Sequence, residues 1–99
     1  MRRQKTVSGP MRRYYFAVVL PGLMRAVGYE PEEADAVHRQ LKIVFFNVKP
    51  DAHGIYRDKD IPHVFANESK LKISEKIPFV EWVKRKAAEN GEYIPDPGE

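Results

Sequence analysis

The stretch GYEPEEADAVHRQLKIVFFNVKP, residues 28–50, decides the fold. Gly28 suits the left-handed residue that ends a preceding helix. Pro31 suits a first helical position, where its missing N–H costs nothing. Glu32, Glu33 and Asp35 then place negative charge at the positive end of the helix dipole. Ala34, Val37, Leu41, Val44 and Phe45 recur at helical spacing, and Lys49-Pro50 ends the run. A helix over about 31–48 follows.

Upstream, residues 11–28 read as another helix. Phe16, Leu20, Leu23 and Val27 follow one stripe, and Tyr15, Val18, Val19 and Ala26 a neighbouring one. So wide an apolar surface calls for burial on several sides, against the core or a second subunit. Pro21 inside it removes a donor and should kink it. Ser8-Gly9-Pro10 reads as a block to helix, which leaves residues 1–10 as an extended arm and 11–99 as one small domain.

Downstream, a third helix is expected over about 75–90, capped by Ser74. Phe79, Val80, Val83 and Ala87 face inward, and Gly91 stops it. Lys84, Arg85 and Lys86 lie near its negative end. Trp82 reads as a residue at the core rim. The tail EYIPDPGE is extended by its two prolines, with Tyr93 and Ile94 pinning it to the core. Residues 51–73 mix Gly54, Pro62 and short apolar islands such as Ile55-Tyr56, Val64-Phe65 and Leu71. They hold either one or two short strands or a mobile functional loop. The fold class is mainly α, with three helices and this long loop. Leu20, Leu23, Val37, Leu41, Phe45, Phe79 and Val83 are its expected core.

The chain has 99 residues, which is one domain's worth, and 42% hydrophobic with 31% charged residues argues against disorder over most of it. With no cysteine, disulfides and thiolate metal sites are excluded. No apolar run reaches the roughly 20 residues of a membrane span, so the expectation is a soluble, cytoplasmic protein.

The net charge of +3 conceals an asymmetry. Residues 1–13 hold Arg2, Arg3, Lys5, Arg12 and Arg13 and no acid, whereas the other 86 carry 12 basic and 14 acidic side chains. The arm is at +5 and the body at −2. Charge concentrated in this way suits a polyanion, and a solvated tail is the plain alternative.

Tyr14, Tyr15 and Phe16 directly follow Arg12 and Arg13. Aromatic faces stack on unpaired bases while guanidinium groups hold phosphates. A helix buries some of its aromatics, so Tyr15 and Phe16 are assigned to the core and Tyr14 to the outer face. His38, His53 and His63 show no zinc-ligand spacing. His53, Asp58, Asp60 and His63 are the one cluster that a Mg²⁺-dependent nuclease would want, though loops of this polarity are ordinarily solvated surface. No P-loop, dinucleotide fingerprint or nucleophile elbow is present. The chain therefore reads as a non-enzyme without a cofactor.

The run RRYYFAVVLPGLMRAVGYEPEEADAVHRQLK and the later ISEKIPFVEWVKRKAAENGEYIPDP resemble a family of small phage- and prophage-encoded proteins similar to the NinB/Orf recombination-accessory proteins. The likeness covers about residues 11–48 and 69–97. It rests on an Arg-aromatic-aromatic helix with proline, a G-Y-x-P-E-E helix start, a final amphipathic helix and an I-P-D-P ending. The resemblance implies non-catalytic binding of single-stranded DNA in phage recombination, often as a homodimer, alongside single-stranded DNA-binding protein. The family's basic-aromatic segment maps onto Arg12, Arg13, Tyr14 and Tyr15. Two features depart from the pattern: the relatives carry a strand-rich region before this helix, and their Gln-Asn pair is replaced here by Pro10-Met11-Arg12.

Three functions remain in order. The first is single-stranded DNA binding through Arg2, Arg3, Lys5, Arg12, Arg13 and Tyr14. The second is a protein-interaction module using the apolar first helix as a dimer or partner surface. The third is a loop nuclease.

Overall fold

A computed structural model describes residues 8–65 and 73–97, with side chains from Pro10 onward in the first segment and from Lys76 onward in the second. Helix α1 (Ser8–Tyr14) passes into a π-helical stretch, Tyr15–Val19, and continues as α2 (Leu20–Val27). A 3₁₀ turn at Pro31–Glu33 opens α3 (Ala34–Phe45), and α4 is Ile73–Glu89. The fold is mainly α, as expected, and no strand occurs among the described residues. Leu71 and the rest of 66–72 lie outside them.

Ser8-Gly9-Pro10 does not block helix, because α1 starts at Ser8. Pro10 lies in the first turn, where backbone N–H groups have no partner in the helix anyway. The expected arm therefore gives up its last three residues to the helix, and residues 1–7 lie outside the described ones.

The disturbance expected at Pro21 takes the form of the π stretch just before it. There the Leu20 N–H donates to the Tyr15 carbonyl, an i→i+5 closure, and Pro21, which has no N–H, follows in the first turn of α2. This closure sets Tyr15 under Leu20, where an α-helix would set Phe16. As a result Tyr15, Val19, Leu20, Leu23 and Met24 are buried, while Phe16 and Val27 are exposed. Phe16 was assigned to the core. The extra residue in the turn moves it out.

Gly28, at φ 88°, ends α2 as expected, and its N–H and that of Tyr29 both donate to the Met24 carbonyl. The Glu33 carboxylate accepts the Glu30 N–H at 2.8 Å and fastens the start of the next element. Helix α3 ends three residues short of 48, at Phe45, and Asn47 takes a left-handed φ of 55°. On α3, Val37, Leu41 and Ile43 are buried, Phe45 is half-buried and Val44 is exposed. The core stripe therefore runs through Val37, Leu41 and Phe45, while Val44 turns outward and Ile43 is buried apart from the main core cluster.

Helix α4 supplies the centre of the core: Phe79, Val83 and Ala87 are fully buried against Tyr15, Val19, Leu20 and Leu23. Ser74 falls inside α4 rather than before it. Trp82 is half-buried at the core edge, as expected. Gly91 follows the helix at φ 93°. Ile94 is buried and pins the tail, and Tyr93 beside it is 71% exposed, because alternation along an extended tail turns one of two neighbours outward.

The loop after α3 is tightly made. The Asp51 carboxylate accepts the N–H groups of His53 and Ile55, at 2.8 and 3.0 Å. Arg39 of α3 reaches the Tyr56 carbonyl at 2.8 Å and the Asp58 carboxylate at 2.9 and 3.2 Å. Beyond these ties, Ile61, Val64 and Phe65 are buried.

Candidate nucleic-acid interface

Arg2, Arg3 and Lys5 lie outside the described residues. Arg12 and Arg13 are both exposed on the last turn of α1, and neither forms an ion pair among the described residues. The Arg12 guanidinium lies 5.4 Å from the centre of the Phe16 ring, one helical turn on. Phe16 is 36% exposed and is held in place by rings beneath it: Tyr15 at 4.9 Å, His38 at 5.0 Å and Phe65 at 5.7 Å.

Tyr14 is not the outward ring expected of it. It is half-buried, and its hydroxyl donates to the Pro95 carbonyl at 2.5 Å while the Lys84 ammonium sits over its ring. Lys84 also pairs with Asp96 and, at 3.7 Å, with Glu81. The tail and α4 have therefore engaged Tyr14. The exposed aromatic beside the arginines is Phe16, and an i, i+4 Arg-to-aromatic spacing is the sequence signal that marks it.

Under Phe16 lies a part-buried polar pair. Tyr15 is fully buried, and its hydroxyl is 2.8 Å from His38 Nδ1. Burial pushes the phenol pKa upward. Burial first, and then the positive charge of Lys42, push the imidazole down to about 4. His38 is thus a half-buried residue at the core edge, hydrogen-bonded to Tyr15.

The four polar loop residues do not assemble into a metal centre. Asp58 is engaged by Arg39, His53 and His63 are exposed, and no group of three metal-donor side chains occurs among the described residues.

Two apolar clefts flank Tyr29. One, of about 480 Å³, lies between α2, α3 and α4, with Val27, Val44 and Trp82 on its walls and Leu41 on its floor. The other, of about 420 Å³, lies between the π stretch, α2 and the start of α3, where Phe16, Pro21, Arg25 and Tyr29 meet. No family model, curated protein or solved structure matches the chain. Among the described residues, no helix is long and apolar enough to cross a membrane.

Proposed function

We propose that this chain is a non-catalytic, single-stranded DNA-binding accessory protein of phage-type recombination, the role the sequence resemblance implies. One observation supports it most: Arg12 lies over an exposed Phe16 ring, with an exposed Arg13 beside it that forms no ion pair among the described residues. A planar ring accepts any unpaired base, and the two guanidinium groups hold the phosphates next to it. In the sequence, residues 1–13 carry +5, so Arg2, Arg3 and Lys5 add charge for further phosphates. Fluorescence anisotropy with single- and double-stranded oligonucleotides at two salt concentrations tests this. Preferential, salt-sensitive binding of the single strand is expected. The absence of binding at low salt would remove the reading.

The second reading, a protein-interaction module, has its own observation in the 480 Å³ groove walled by exposed Val27 and Val44. The first helix hides most of its apolar surface within a single chain, so that groove is where a homodimer would form. Val44→Asp should then reduce the mass seen by light scattering, and a monomeric parent protein would count against it.

A further inference from the structure

The cleft of about 420 Å³ beside Phe16 has features that a simple gap between helices lacks. Two exposed rings border it, Phe16 at 36% and Tyr29 at 50%. Its floor is apolar, from Leu20 and Met24, and Pro21 and Pro31 add walls without N–H donors. Arg25 lines it too, and the Arg12 guanidinium lies 5.4 Å from the centre of the Phe16 ring. The Arg25 pairing with Glu92, at 3.0 Å, is an exposed one, with 63% of the arginine side chain accessible. Such a pair yields readily to a competing anion.

We propose that this cleft receives an unpaired nucleobase of a single strand, with Phe16 and Tyr29 contacting the base and Arg12 and Arg25 the flanking phosphates. The proposal rests on the nucleic-acid reading above and gives it a specific seat. The volume is at the lower end of that of small-molecule sites, which suits one heterocycle better than a folded partner. Among the cleft's side chains, Arg25 and the Tyr29 hydroxyl are the groups able to donate to a base edge or phosphate. The base is therefore held by its faces, and recognition is tolerant of sequence. Glu30, Glu32 and Glu33 follow Tyr29 along the chain, so the backbone of the strand runs on the Arg12 and Arg25 side, away from those carboxylates.

The test uses the full chain and fluorescent 12-mers: dT12, an abasic deoxyribose-phosphate strand of the same length, and rU12. The intact protein should prefer dT12 to the abasic strand by about ten-fold or more, the scale of one stacked base. Tyr29→Ala should erase most of that preference and leave the salt slope unchanged, while Tyr29→Phe should retain both. Equal affinity for dT12 and the abasic strand would overturn the base seat while the phosphate-binding reading stood. This comparison needs no variant. A protein that bound none of the three strands would overturn both. Tighter binding of rU12 than of dT12, lost in Tyr29→Ala, would support the seat and reassign the strand to RNA. If Tyr29→Ala kept its base preference, Tyr29 would not touch the base and the proposal would fail.

Discussion

Tyr14 and Phe16 are two residues apart and exchange the roles their neighbourhood suggests. Tyr14 donates to the Pro95 carbonyl, so Tyr14→Phe should lower stability by about 0.5–1.5 kcal/mol, measured by urea denaturation. Oligonucleotide affinity should not change with it. A loss of affinity without a loss of stability would return Tyr14 to the binding surface. His38 is held neutral by burial and by Lys42, with its pKa depressed to about 4 from an ordinary 6.5. Protonation therefore favours the unfolded chain, and the His38 contribution is lost as pH falls from about 6.5 through 4. The loss is of the order of 2–3 kcal/mol and should be missing from the pH–stability profile of His38→Gln. If both proteins lose the same stability over that interval, other groups carry the acid sensitivity. The helical position of His38 is legible in the sequence. Its bond to Tyr15 is not, because the two residues are 23 apart and no local pattern brings them together.

At the scale of the elements, α3 was the most legible, since capping acids and a 3.6-residue stripe point the same way. Leu41→Ala should cost about 2–5 kcal/mol, toward the lower end because Leu41 also borders the open groove. A change below about 0.5 kcal/mol in denaturant titration would show that the α3 stripe faces water. The first helix was legible as a helix but not in its inner face. Pro21 announced a disturbance, and nothing local told whether a kink or a π stretch would absorb it. That choice alone decides between Phe16 and Tyr15. The α2–tail contact was legible at Ile94 and silent at Gly22. A Cβ at Gly22 would run into the buried Ile94 side chain. Gly22→Ala should therefore be destabilising by about 1–2 kcal/mol despite alanine's better helix propensity. Ile94→Val removes the terminal methyl in the way and, combined with Gly22→Ala, should recover part of the loss. Strict additivity of the two changes would show that the helix and the tail do not meet there.

For the whole molecule, charge and shape divide the work between the two ends of the first helix. The body carries −2 and the first 13 residues +5, so on the proposed reading a polyanion would approach that end first. On the proposed reading, five phosphate contacts from Arg2, Arg3, Lys5, Arg12 and Arg13 contribute about −3.5 to the salt slope for a single strand, because each releases about 0.7 of a counterion, and Arg25 adds about −0.7. Deleting residues 2–5 leaves Arg12, Arg13 and Arg25, and the slope should fall to about −2.1. The base preference should persist through the deletion, since Phe16 and Tyr29 both lie on described, packed elements outside the arm. Phosphate attraction and base stacking are thereby separable in one pair of titrations, one against salt and one against the abasic strand. A deletion that left the slope at its parent value would show that residues 2–5 touch no phosphate. Arg12 and Arg13 would then be the basic anchors, with Phe16 the ring beside them.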